Sequence, residues 1–196
     1  MYAYINGKLT YKTPTLVYLE CNGIAYSINI SLNTYAYIEN LHEVKLFIQQ
    51  IVREDNLSLF GFFNEDEKIM FNHLITVSGI GPNTARLMLS SLTTQELHQA
   101  IINNDVRLIQ SVKGVGPKSA QKVIIELKDK MQKSNLTSDG TSSTQNNNLP
   151  IVDEALAALN MLGFQKNKAE KAIQLALKQE NITSVESLIK QSLKNL

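Results

Sequence analysis

Two short stretches of this chain are near-copies of each other. Residues 77–89 are VSGIGPNTARLML, and residues 112–124 are VKGVGPKSAQKVI. At an offset of 35 positions, both copies have an apolar residue, two glycines two apart, a proline and then an alanine. The same pattern found twice in one chain indicates an internal repeat rather than coincidence.

Each copy predicts a tight turn that leads into a helix. Glycines two apart permit a positive φ and a close approach of another backbone. Pro82 and Pro117 fit the first position of a helix, because that position needs no backbone donor. Ala85 and Ala120 are small enough for the new helix to pack closely on the previous one. We therefore expect a helix, a short hairpin and a second helix in each copy.

The hairpins are candidate phosphate-binding sites. A helix N-terminus presents backbone N–H groups and a positive dipole end, which attract phosphate without reading base sequence. One copy alone also fits an ordinary turn between helices, whereas two copies favour the binding interpretation. Neither copy has the Gly-Lys-Ser/Thr ending of a P-loop, and no predicted strand leads into it. The candidate DNA-binding residues are Gly79, Ile80, Gly81, Asn83, Thr84, Gly114, Val115, Gly116, Lys118, Ser119 and Lys122.

Composition narrows the class of protein. The 196 residues allow one large domain or two to three small ones, and a hydrophobic fraction of 43% suffices for packed cores. The N-terminus has no apolar run, so we expect neither a signal peptide nor a membrane span. Cys21 is the only cysteine, which leaves no internal disulfide and favours a buried structural role. We predict a cytoplasmic protein without a cofactor of its own.

The charge is almost balanced, with a formal net charge of +1 from 19 basic and 18 acidic side chains. A slight basic excess falls in the region that contains the repeat. Binding through backbone amides does not need many lysines, but Lys113, Lys118 and Lys122 predict a salt-sensitive affinity for nucleic acid.

Residues 1–63 predict a β domain. Short alternating segments separated by turn residues such as Asn6-Gly7 are the candidate strands: 2–9, 15–21, 24–30, 43–53 and 57–62. Residues 32–41 form a longer connection. Five short strands in about sixty residues suit a small closed barrel of the OB type, with an open meander as the alternative. Glu54 and Asp55 are adjacent at the last hairpin tip, where turn formation alone explains such residues.

Residues 64–133 predict a helical domain and residues 134–149 a disordered polar linker. Residues 150–196 predict three helices, at 150–161, 167–179 and 184–195, with Gly163 ending the first. The predicted capping boxes share the spacing of an N-cap residue and a glutamate three positions later: Asn64/Glu67, Thr93/Glu96, Asn167/Glu170 and Thr183/Glu186.

The order of these parts resembles the RuvA family of bacterial Holliday-junction-binding proteins. The resemblance spans the whole chain and rests on the two hairpins, on Val-Arg-Glu-Asp at 52–55, on Leu-Phe-Gly-Phe at 59–62 and on Leu-Gly-Phe at 162–164. It implies an α+β multidomain fold: an N-terminal OB-fold barrel, a central tandem helix-hairpin-helix domain and a C-terminal UBA-like three-helix bundle.

The resemblance also implies a function in recombination, DNA repair and the SOS response. A homotetramer would bind four-way junction DNA through both hairpins, and it stays open whether one or two tetramers bind each junction. Glu54 and Asp55 would form an acidic pin that repels phosphates at the crossover. Asn83 departs from the family, in which lysine is usual, so we expect weaker phosphate binding at the first hairpin.

The resemblance further implies partners. The hexameric ATPase RuvB would move the DNA and use the ATP, and the resolvase RuvC would join the full complex. The C-terminal bundle would bind the motor through Leu159, Leu162 and Phe164, although Leu159 fits the core stripe of its helix equally well.

Two other functions compete with this interpretation. A glycosylase or nuclease built on the same hairpins would need a catalytic carboxylate beyond the second hairpin or a carboxylate cluster. The chain instead enters the polar linker there, and residues 65–67 are explained by the first turn of a helix. A single-strand-binding OB protein would need a basic, aromatic groove, which the sequence lacks. We therefore expect no catalytic residues.

Overall fold

The computed structural model of the chain describes residues 2–135, 149–179 and 184–196. The chain divides into two compact units, Met1–Asp139 and Gly140–Leu196. Most of the predicted linker, including the disorder expected there, lies outside the described residues. No helix within those residues is long and apolar enough to cross a membrane.

The first unit begins with a closed five-stranded barrel. Its elements are β1 (Tyr4–Lys12), β2 (Leu16–Cys21), β3 (Ile24–Ile30), helix α1 (Leu32–Ile38), β4 (Glu43–Val52) and β5 (Leu57–Phe62). The strand order is β1-β2-β3-β5-β4, and every pairing is antiparallel except the parallel pair of β3 and β5. The alternating apolar residues point inward and form the barrel core. The closed barrel is therefore confirmed over the open meander.

Strand β1 begins two residues later and ends three residues later than the predicted strand 2–9, and Asn6-Gly7 lies within it and forms no turn. Gly7 pairs with Val44 inside the strand. A Cβ at Gly7 would lie 2.3 Å from the carbonyl oxygen of Glu20 and 2.7 Å from the Sγ of Cys21. Glycine is thus required for the close approach of β2, and the Cys21 thiol donates a hydrogen bond to the Asn6 carbonyl at 2.7 Å.

The rest of the first unit is helical: α2 (Glu65–Ile75), α3 (Pro82–Ser91), α4 (Thr94–Ile102), α5 (Val106–Gln110) and α6 (Pro117–Asn135). The capping box of Thr93 and Glu96 is confirmed, with both reciprocal hydrogen bonds present. The box predicted for Asn64 and Glu67 is wrong. Asn64 makes no side-chain cap, and Glu67 is buried among other partners. The core of these helices also includes Phe60 and Phe62 from β5.

The second unit is a three-helix bundle of α7 (Leu149–Met161), α8 (Lys166–Gln179) and α9 (Val185–Lys194) around a small apolar core. Gly163 has a φ of +94°, which confirms it as the residue that ends α7. The cap predicted at Asn167 is wrong, because α8 already begins one residue earlier. The hydroxyl of Ser184 caps α9, whereas Thr183 lies outside the described residues.

Candidate nucleic-acid interface

The two sequence copies form the same backbone turn. In the first, the N–H of Ile80 donates to the Val77 carbonyl at 3.0 Å. In the second, the N–H of Val115 donates to the Val112 carbonyl at 3.1 Å. The first glycine of each pair has a positive φ, +93° at Gly79 and +88° at Gly114. Side chains rarely adopt this conformation, so glycine is needed here for the turn itself.

The second glycine of each pair has a different task. Gly81 is the N-cap of α3 in extended conformation, with φ −84°, and Gly116 is not among the glycines with positive φ. The positive φ that glycine permits therefore occurs only at the first glycine of each pair. A Cβ at either second glycine would meet nothing within 4 Å. The fold accepts a side chain at these positions, so packing within the described chain does not require glycine there.

Helices α3 and α6 begin at these hairpins, and the first turn of each is partly exposed. Pro82 and Pro117 take the predicted first positions. The next N–H groups of a helix have no partner within it, and α3 has no side-chain cap. Asn83 is exposed on the first turn of α3, and Lys118 and Lys122 are exposed on α6. Each helix therefore offers amides and a positive dipole end to solvent.

The two hairpins lie side by side. A Cβ built on Gly79 in the first hairpin would lie 4.0 Å from the Oγ of Ser119 in the second. Thr84 and Ser119, which occupy equivalent positions in the repeat, are both half-buried. The phosphate sites predicted separately are thus brought together on one surface.

Two of the predicted DNA-binding residues belong to the core instead. Ile80 and Val115 are each 5% exposed and pack in the helical core. Their N–H groups already close the turns. Their side chains anchor the hairpins from beneath and do not reach the surface at which phosphate is predicted. In the sequence, an apolar residue between two glycines fits a buried position in the core and an exposed position at the phosphate equally well, so its burial could not be predicted.

The acidic pin, Glu54 and Asp55, is the tip of the hairpin between β4 and β5. The N–H of Arg53 donates to the Asn56 carbonyl at 2.8 Å and closes the turn. Both carboxylates are exposed, and neither takes part in a salt bridge in the described part of the chain. The apolar side chain of Val52, just before the tip, is 68% exposed.

The hairpin that carries Glu54 and Asp55 and the first glycine hairpin face each other across an open cleft of about 310 Å³. Arg53 and Asn56 line it from the pin, Pro82 and Asn83 line it from the start of α3, and Asn29 on β3 contributes to its wall. The acidic tip and the first candidate phosphate site therefore stand next to each other in one chain.

The three residues predicted to contact a partner in the C-terminal unit are separated by the structure. Leu159 is fully buried in the bundle core, so its assignment to a contact surface is corrected. Leu162 is 61% exposed, and Phe164 on the other side of the turn is 37% exposed. Met161, which was not predicted as a contact residue, lies next to Leu162 in the sequence and is 90% exposed. The end of α7 thus presents three neighbouring apolar side chains to solvent.

His73 is the histidine of α2, and the structure gives its environment. His73 is half-buried, and burial, followed by the positive charge of Lys130, lowers the pKa of its imidazole. Among the described residues, no group of three or more histidine, cysteine, aspartate or glutamate side chains is placed to hold a metal ion.

The chain matches three family models in order. Residues 1–61 match the RuvA N terminal domain, residues 71–129 the SAM-like helix-hairpin-helix tandem, and residues 150–196 the RuvA C-terminal domain. These matches agree with the barrel, the paired hairpins and the three-helix bundle. The OB-fold, tandem helix-hairpin-helix and C-terminal bundle of the predicted fold class are confirmed.

Whole-length relatives carry one name, Holliday junction branch migration complex subunit RuvA. The protein of Flavobacterium psychrophilum is 46% identical over 196 residues, with 100% of both chains aligned. That of Cytophaga hutchinsonii is 49% identical over 198 residues, covering 99% of each chain. That of Bacteroides thetaiotaomicron is 41% identical over 201 residues, again with full coverage. Identity at this level over the aligned length, together with the matches to the family models, places this chain in the RuvA family.

Proposed function

We propose that this protein binds four-way junction DNA as the non-catalytic subunit of a branch migration complex. The observation that carries the proposal is the pair of adjoining hairpins, each of which presents a helix N-terminus to solvent. The names of the full-length relatives support the same function. The protein would act in recombination and DNA repair, in the cytoplasm, and without a cofactor of its own.

The hairpins would contact the phosphates of duplex arms. The bare backbone at Gly79, Gly81, Gly114 and Gly116 allows a phosphate to approach closely, and the first-turn amides donate hydrogen bonds to it. Lys118 and Lys122 add positive charge to the second hairpin, whereas the first has Asn83 at the place equivalent to Lys118. Contacts of this kind position DNA without reading its sequence, so the protein would recognise shape.

The acidic pin would act where the strands cross. The hairpins would bind the duplex arms of the junction, and the carboxylates would repel its phosphates. Together they would favour a geometry in which the duplexes surround an open centre. In a homotetramer, four pins would meet at that centre and keep the crossing strands apart. Repulsion between like charges is about 1 kcal/mol at 4 Å in water and grows where water is excluded. One or two such tetramers would bind each junction.

The C-terminal unit would recruit the motor. A hexameric ATPase of the RuvB type would supply ATP-driven movement, and a resolvase of the RuvC type would complete the assembly. Exposed Met161, Leu162 and Phe164 form a small apolar surface that suits contact with another protein. Leu159 would support that surface from the core.

The test is a gel mobility experiment with four-way junction and linear duplex DNA of the same sequence. We expect tighter binding to the junction, no dependence on base sequence and a steep loss of affinity with salt. Equal affinity for both DNA forms would contradict the proposal. The same reactions, analysed on denaturing gels, test the enzymatic alternative, because a nuclease or glycosylase would yield cleaved strands or abasic sites.

A further inference from the structure

A carboxylate is buried where the barrel meets the helices. Glu67, in the first turn of α2, is 4% exposed. One of its oxygens accepts a hydrogen bond from the Ser31 hydroxyl, and the other accepts from the Thr34 hydroxyl at 2.7 Å. Burial raises the pKa of Glu67, and the two hydroxyl donors offset part of that rise. Buried carboxylates are uncommon because they lose hydration, so this one calls for an explanation.

The hydrogen bonds suit a Glu67 carboxylate that accepts on both of its oxygens. The Ser31 Oγ accepts from the N–H of Thr34 at 2.9 Å, and the Thr34 Oγ1 accepts from the N–H of Phe63 at 3.0 Å. Because each hydroxyl oxygen already accepts from an amide, its single hydrogen is available for Glu67. We name Ser31, Thr34 and Glu67 the polar joint.

The polar joint lies at the point where the chain leaves the barrel. Ser31 caps α1, between β3 and β4, and Thr34 is in its first turn. Phe63 follows β5 directly, and α2 begins two residues later. The joint therefore ties the barrel, the connecting segment and the first helix to one another.

Helix α3, which starts at the first hairpin, is attached to the barrel at two further places. The side-chain amide of Asn33 on α1 donates to the Leu89 carbonyl at 2.6 Å. The guanidinium of Arg86 donates to the Thr15 carbonyl at 3.0 Å and to the Asn29 side chain at 3.2 Å. The polar joint is the deepest of these three attachments, since all of its side chains are buried.

We propose that the polar joint holds the acidic pin in a constant direction relative to the first hairpin and thereby determines the preference for a junction over a linear duplex. This inference rests on the proposed function. A linear duplex contacts only the hairpins. A junction must place its arms on the hairpins and its crossover around the pin at the same time. Rotation of the barrel against the helices would move the carboxylates of the pin from the open centre toward the crossing strands, and the added repulsion would weaken junction binding selectively.

The test compares Glu67→Gln and Thr34→Val with two controls. The glutamine variant keeps the shape of the side chain but replaces an acceptor with a donor, and the valine variant removes the Thr34 hydroxyl. Thr34→Ser keeps that hydroxyl. Glu96→Gln makes the matched change in an exposed capping box and controls for a general loss of stability.

The readout is the ratio of junction affinity to linear-duplex affinity, with folding and oligomeric state checked by thermal melting and light scattering. A hydrogen bond to a buried charge is worth about a factor of ten or more in an equilibrium constant. We expect the ratio to fall about tenfold in Glu67→Gln and Thr34→Val. Linear-duplex affinity should stay constant, and the ratio should be retained in both controls.

A ratio unchanged in both variants, or a parallel loss of both affinities, would overturn the inference. A wild-type protein without junction preference would instead overturn the proposed function. A second measurement reports the direction of the pin itself: spin labels at Asp55→Cys and Asn83→Cys, with Cys21→Ser removing the only native thiol. In a Thr34→Val protein that still melts as a folded protein, the distance distribution between the labels should be broader than in Thr34→Ser. An equally narrow distribution would also overturn the inference.

Discussion

Substitution of Gly116 by alanine separates DNA contact from folding at the second hairpin. The new Cβ would meet nothing within 4 Å, and the residue is not in the positive-φ region. Neither a clash nor backbone strain is therefore introduced. Gly114→Ala is the matched change two residues earlier, where a φ of +88° makes any side chain unfavourable.

The magnitudes follow from these environments. At Gly116, alanine stabilises through the unfolded chain by about 0.4–1 kcal/mol. It also loses a few tenths to about 1 kcal/mol as a poorer N-cap, so the free energy of unfolding should hardly change. A methyl group on the DNA-facing side would displace a phosphate from its amide donors. A hydrogen bond to a charged group contributes about 1.5–3 kcal/mol, so junction affinity should fall about 10- to 150-fold.

The assay is fluorescence anisotropy with a labelled four-way junction at fixed salt, alongside chemical denaturation of the free protein. Gly116→Ala should bind weakly and unfold like the wild type, whereas Gly114→Ala should lose stability by about 1–2 kcal/mol as well. If Gly116→Ala folds normally and binds the junction with wild-type affinity, the backbone at this hairpin does not approach DNA. The site as described would then be wrong.

Three further predictions concern the same functional parts. Gly114→Val should reduce junction affinity more than Lys122→Ala, because a β-branched side chain distorts the turn whereas loss of the lysine removes only one positive charge. Parallel titrations of the two variants at two salt concentrations compare them. Glu54→Gln combined with Asp55→Asn should leave junction affinity equal or higher, since repulsion is relieved, and should alter the rate of motor-driven branch migration; a large loss of affinity would contradict the pin assignment. A protein ending at Asn135 should still assemble and bind junctions but fail to support migration by the ATPase; undiminished migration would exclude the C-terminal unit as the motor contact.

The hairpins were predictable because their determinants are local. Glycine and proline at fixed spacing specify a turn and a helix start within a few residues, and the repeat supplied a second copy to compare. The glycine that ends α7 and the capping box of α4 were predictable for the same reason. In each case the partners lie within one turn of helix.

The wrong predictions concern residues whose environment is set by contacts with parts of the chain that are distant in sequence. Glu67 has the spacing of a capping box, but its partners lie 36 and 33 residues earlier in the chain, at Ser31 and Thr34. No local pattern announces such a contact. Gly7 was predicted to be a turn residue because its close contact with β2 is also long-range and leaves no mark in the local sequence. Leu159 fitted both a core stripe and a contact surface, and only packing decides between them.

Two aromatic rings from the barrel have a consequence for cooperativity. Phe60 and Phe62 of β5 pack against Phe71 of α2, with ring centroids 5.1 and 5.0 Å apart. The helical core is therefore incomplete until β5 has paired in the barrel. Denaturation of this unit should be a single transition rather than the sum of a barrel and a helical step. A fragment that begins at residue 64 would expose the face of Phe71 and aggregate, even though it contains both hairpins.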